Sequence, residues 1–168
     1  MTTSEQVRTG ERADLLQIIR RQRGFLRHTV QGLTDEQAAT RSTVSALCLG
    51  GLIKHVTVME ERWARFAVGG AEAMQSESVD WEAVFRMTDG DTLAALLDGY
   101  AAVAARTDEL IATLDLDASW PLPSAPWFEP GASWSIRQVV LHVITEISQH
   151  AGHADILRES IDGQKTMG

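Results

Sequence analysis

Apolar residues recur three and four positions apart along most of the chain, the rhythm of one face of an α-helix. In "ERADLLQIIRRQRGFLRHTVQGL" the stripe is Leu15, Ile18, Ile19, Phe25, Leu26 and Val30, interrupted by Gln22, which predicts a first helix over residues 11–31. Thr34 and Gln37 stand in capping-box spacing and predict a short helical turn. "SALCLGGLIKHVTVMEERWARFAVGG" carries Leu49, Leu52, Ile53, Val56, Met59, Trp63 and Phe66, predicting a second long helix over 44–68 that ends at Gly69 and Gly70. Its internal Gly50 and Gly51 cost about 1 kcal/mol each against alanine, so they imply close packing or a start nearer residue 50.

Between 71 and 90 the rhythm weakens, and "SVDWEAVFRM" reads as a short amphipathic helix within a connection. Asp91 offers an N-cap for a third long helix over 92–114, whose stripe includes Leu93, Leu96, Leu97, Tyr100, Val103 and Ile111. All four prolines, Pro121, Pro123, Pro126 and Pro130, fall in 115–134 together with Trp120, Trp127 and Trp134. Such a stretch excludes helix and central strand. A connection this long is commonly a lid or pocket wall, and a hydrophobic strap across the bundle end fits equally well. Ser135 and Gln138 form a second capping-box pair, opening a fourth long helix to about 159. With no alternating strand pattern, the expectation is an all-α four-helix bundle with long connections, one domain over 1–168.

Composition narrows the partners. The formal charge of −8, with pI near 5.0 and no basic stripe, argues against nucleic acid and anionic membrane surfaces. No run approaches the roughly 18 apolar residues of a membrane span, and the N-terminus lacks a signal-peptide pattern. Cys48 is the lone cysteine, which rules out an intramolecular disulfide and a thiolate-built structural zinc site. A reducing cytoplasm is the expected location.

The fourth helix carries the candidate chemistry in "HVITEISQHAGHADILRE". At about 100° per residue, His142, Glu146, His150 and His153 share an arc of about 80° that overlaps the edge of the apolar face of Val139, Val140, Val143, Ile147 and Ala154. A lone histidine at a core edge is usually a hydrogen-bonded structural residue; several stacked with an acid are costly to desolvate unless a cation compensates them. Glu146 and His150, four apart, reach one ion from one helix. A further ligand must come from a facing helix, and His55, flanked by Leu52, Val56 and Met59, is the natural candidate, although alone it reads as a core histidine. His28 reads as exposed.

"LGGLIKHV" and "HVITEISQHAGHADILRE" resemble the DinB-like superfamily of metal-binding helical bundles, within it the branch of small mycothiol-dependent transferases, and the metal pattern is similar to that of mycothiol-dependent maleylpyruvate isomerases. The resemblance implies His55, Glu146 and His150 as ligands. Many relatives have H-x-x-x-H where this chain has Glu146 and His150. Two imidazoles and one carboxylate suit Zn²⁺, with Ni²⁺, Mn²⁺ and Fe²⁺ as other occupants. His142 and His153 fall outside the triad and are expected in catalytic roles beside it. Trp134 and Arg137 are the candidates for binding a cofactor or an anionic substrate, Arg137 otherwise being a solvated surface residue.

With no second cysteine, a nucleophilic thiolate would come from a cosubstrate. The resemblance implies mycothiol or a similar low-molecular-weight thiol, added to an electrophilic small molecule. A metal-dependent hydrolase using bound water and a non-catalytic metal-binding stress protein are the alternatives. Bundles with Trp- and Leu-rich faces often dimerise, so a homodimer is also expected.

Overall fold

A computed structural model describes residues 10–166. Its elements are α1 (Glu11–His28), α2 (Asp35–Ala39), α3 (Leu49–Met74), α4 (Leu93–Thr113), β1 (Ser119–Pro121), β2 (Ser133–Ser135) and α5 (Ile136–Asp162). The four long helices form the expected bundle. Helix α1 packs on α5, and α3 packs on both α4 and α5. Ile19, Leu26, Leu52, Ile53, Val56, Phe66 and Ile147 are fully buried at the centre. These residues are the periodic apolar positions of the sequence, so removing that surface from water supplies the main driving force for the fold.

The helix ends follow local chemistry. Both capping boxes form: Thr34 accepts from the Gln37 amide on α2, and Ser135 from the Gln138 amide on α5. Gly163 ends α5 in the left-handed conformation at φ 79°. The cap of α4 is Thr92, not Asp91. Asp91 instead accepts from Lys54 Nζ at 2.7 Å and from the Thr88 amide, because an ion pair to α3 competes for the same carboxylate. Arg158 of α5 is buried and donates to the Thr29 and Gln31 carbonyls while pairing with Asp162, tying the end of α1 to α5.

Helix α3 starts at Leu49, later than the predicted residue 44, and its regular helical dihedrals end at Val68, as predicted. Gly69 and Gly70 end this regular stretch: Gly70 takes φ 69°, ψ −158°, and a separate helical turn follows to Met74. A Cβ at Gly70 would lie 2.9 Å from the Trp120 ring, whose Nε1–H donates to the Ala67 carbonyl at 3.2 Å. Both readings of the Gly50–Gly51 pair hold, a helix start near residue 50 and close packing. A Cβ at Gly51 would sit 2.0 Å from the Phe85 carbonyl oxygen.

Two segments differ from expectation. The region 78–87 contains only a 3-10 turn at Ala83–Phe85, capped by Asp80 through the Glu82 and Ala83 amides, before Arg86 becomes extended. Tight seating of Phe85 on Gly51 replaces further helical hydrogen bonds there. The Pro-rich connection is not structureless: β1 and β2 pair antiparallel, with Trp120 opposite Trp134. The prolines fit because this ribbon has two strands, both of them edges. No helix among the described residues is long and apolar enough to cross a membrane.

Candidate metal centre

The apolar periodicity of α3 that buries Leu52, Val56 and Met59 also turns His55 inward, where it is 8% exposed. Across the bundle, Val143, Ile147 and Ala151 bury one side of α5 and leave Glu146 and His150 half-buried at its edge, facing α3. His55, Glu146 and His150 each present a ligand atom, and these atoms lie within 4.8 Å of one another. The His55 and His150 rings meet edge to face at 4.7 Å. Phe85 stacks on His55 at 4.0 Å and 19°, fixing the plane of that imidazole from the other side.

The polar groups of the triad do not satisfy one another. His150 Nε2 is 3.7 Å from Glu146 Oε2, and His142 Nε2 is 3.9 Å from Glu146 Oε1, both beyond hydrogen-bonding distance. His55 Nδ1 is buried with no hydrogen-bond partner among the described residues. Burial, reinforced by His150, pushes the His55 imidazole down to about 4, with Glu146 opposing. Glu146 is held below its usual value by His150 beside it, against the opposing effect of burial. At neutral pH, therefore, His55 is an uncharged ring with a free lone pair and Glu146 is an anion. Converging, unpaired donors of this kind fit a divalent cation, and three protein ligands leave positions open for exogenous molecules.

Aromatic side chains flank the triad. Trp63, two turns beyond His55 on α3, stacks on Trp134 at 5.0 Å and 20°. His142 sets its edge against both rings, 4.8 Å from Trp63 and 5.1 Å from Trp134, and Phe128 packs on Trp134 at 5.5 Å. Burial against these rings lowers the basicity of His142, so it too is neutral at pH 7. The ribbon thus places Trp134 beside the centre as one wall. On the opposite side of His150, His153 Nδ1 lies 3.3 Å from His150 Nδ1.

Arg137 stands apart from these groups. Its guanidinium is taken up by Glu11 of α1 and by Asp117, 2.5 Å away, so it serves as a surface clamp and not as a free anion site. His28 is exposed, as expected. Sequence reasoning missed Trp63 and Phe85 as neighbours of the centre. The spacing of Trp63 from His55 along one helical stripe was the available signal; for Phe85, in a segment of weak periodicity, there was none.

The bundle and its converging His/Glu cluster define a DinB-like helical protein with a candidate metal centre. Residues 14–163 match the mycothiol S-transferase family, and the chain belongs to that family. No curated protein matches the sequence. Among solved structures, a conserved protein of Enterococcus faecalis is similar at a TM-score of 0.70 with 17% identity, over 94% of this chain and 100% of that one. At that identity the likeness concerns the fold.

Proposed function

We propose that the protein is a metal-dependent thiol S-transferase that joins a low-molecular-weight thiol, mycothiol by family membership, to an electrophilic small molecule. The observation carrying this reading is the convergence of His55, Glu146 and His150 within 4.8 Å beside an aromatic wall. His55, Glu146 and His150 would hold the ion, with Zn²⁺ suited to the donor set and Ni²⁺, Mn²⁺ or Fe²⁺ accepting the same ligands. A bound divalent cation lowers the pKa of a coordinated thiol, providing a thiolate at neutral pH.

The chain's own residues supply the rest. Cys48 is buried at the start of α3, its sulfur facing the Phe85 carbonyl at 3.8 Å, so the reacting sulfur comes from the cosubstrate. His142, neutral and adjacent to Glu146, takes up the proton released from the thiol. Trp134, half-buried and backed by the buried Trp63, offers the apolar wall that holds and desolvates the electrophile, whose carbon bonds to the thiolate sulfur as its π pair moves to the adjacent atom, which takes the proton from His142.

Two measurements on the purified protein test this reading: its metal content, and thiol consumption with mycothiol, bacillithiol and glutathione in parallel. Bound or titratable divalent metal, with turnover that requires a thiol, is the expected result. Turnover without any added thiol would mean that water is the nucleophile and would replace the transferase reading with a hydrolase.

A further inference from the structure

We infer that His153 is a positioning residue: its Nδ1 accepts the Nδ1–H of His150 and so holds the His150 Nε2 lone pair toward the metal. The inference rests on the metal reading above and concerns a residue outside the proposed ligand set.

The two nitrogens of the His150 ring face different partners. Nε2 points to Glu146 Oε2 at 3.7 Å, the side on which the triad converges, whereas Nδ1 points to His153 Nδ1 at 3.3 Å. A ligating Nε2 carries no proton, so the proton of a neutral His150 resides on Nδ1. Two facing Nδ1 atoms need one hydrogen between them, since two lone pairs at 3.3 Å repel. His153 must then present its own Nδ1 lone pair and carry its proton on Nε2. With His150 Nε2 as the ligating atom, the contact fixes a single tautomer of each ring.

Nothing else takes this role. Among the described residues, His153 is the one hydrogen-bond partner of His150 Nδ1. The spacing explains the contact, because residues three apart on a helix lie on one face. His150 is only 12% exposed on its side chain, so an unpartnered Nδ1–H there would be largely withdrawn from water. Metal-bound histidines generally donate their second N–H to a carboxylate or carbonyl. Here an imidazole nitrogen stands in that place. It orients the ring while pushing less electron density onto His150 than a carboxylate would, which leaves more Lewis acidity to the ion.

The test compares wild type, His153→Ala and His153→Asn. Each full-length protein is stripped of metal and titrated with Zn²⁺ in competition with a chromophoric chelator, and the thermal midpoint of each metal-free protein is recorded. Asn presents its Oδ1 where His153 presents Nδ1, keeping the acceptor and losing the ring. The expected result is affinity weaker by about 10–100-fold in His153→Ala, with the metal-free midpoint unchanged, and recovery in His153→Asn. Histidine ¹⁵N spectra of the zinc-loaded wild type are expected to show the His150 proton on Nδ1 and the His153 proton on Nε2. Wild-type affinity in His153→Ala, affinity in His153→Asn as weak as in His153→Ala, or a His150 proton on Nε2 would each overturn this inference and leave the metal reading intact. Failure of the wild type to bind Zn²⁺ would overturn both.

Discussion

Two of the clusters of buried ionisable groups among the described residues are built on opposite terms. Between α1, α3 and α4, Arg23 and Glu60 are 5% and 0% exposed, yet they answer each other fully: Arg23 Nη2 and Nε donate to Glu60 at 2.5 and 3.3 Å, and Nη1 donates to Asp108 at 2.6 Å. Between α3 and α5, His55, Glu146 and His150 converge without a hydrogen bond among them, and His55 Nδ1 has no hydrogen-bond partner among the described residues. A closed ion pair leaves nothing for a ligand to contribute, whereas an open cluster of donors does. Charge in a core therefore marks a candidate site only where the local hydrogen bonds fail to close.

The strongest test of this contrast breaks the closed cluster. Glu60→Ala leaves Arg23 buried without its main counter-ion and is expected to destabilise the fold by about 3–5 kcal/mol in urea unfolding, while protein that remains folded binds Zn²⁺ as wild type does. Replacing both partners together, as Arg23→Met with Glu60→Leu, should restore most of that loss, because no charge is then stranded.

The open cluster responds to acid instead. His55 titrates near 6.5 when unfolded and at about 4 when folded, so between these values the unfolded chain binds more protons and stability falls as pH falls. His142, also lowered by burial, adds in the same direction. Metal-free protein should lose up to about 3 kcal/mol from His55 as pH drops through this window. The slope should shrink in His55→Asn; an unchanged slope between pH 6.5 and 4.5 would show that His55 is not held neutral by burial.

Opening the triad further should separate binding from folding. His150→Ala is expected to weaken Zn²⁺ binding by at least about 100-fold, beyond the loss from a supporting residue, and to abolish thiol transfer. Metal-free stability should change by no more than about 1 kcal/mol. A loss of folding comparable to that of Glu60→Ala would place His150 with the structural cluster. The smallest effect is expected at Arg137: since Glu11 and Asp117 already occupy its guanidinium, Arg137→Gln should leave zinc affinity and turnover at the wild-type level. A rise in the KM for the electrophile would return Arg137 to the binding site.

The contrast also shows why the two clusters were unequally legible. The α5 stripe could be read from one helix, because His142, Glu146, His150 and His153 repeat at helical spacing on one arc. Arg23 reads as one more surface arginine among its neighbours on α1, and Glu60 as part of the acidic pair with Glu61. Their burial depends on meeting across α1 and α3, and a helical wheel holds no information about a second helix. The Trp120–Trp134 pairing was hidden for the same reason: strand register is a contact between segments, and each segment is too short for alternation to show.

By itself the sequence determined the four helices, both capping boxes and the one-sided polar stripe, since all of these follow from interactions within a few residues of one another. The apolar flanks of His55 made it the candidate partner to Glu146 and His150, and the resemblance of the two motifs to DinB-like proteins implied the same three residues. Tertiary structure alone decided that Phe85 stacks on His55 and that Trp63 and Trp134 form one wall. It also decided that Arg137 is spent on Glu11 and Asp117, and that Arg23 and Glu60 close on each other in the core. Periodicity specifies which face of a helix is buried; only packing specifies what that face meets.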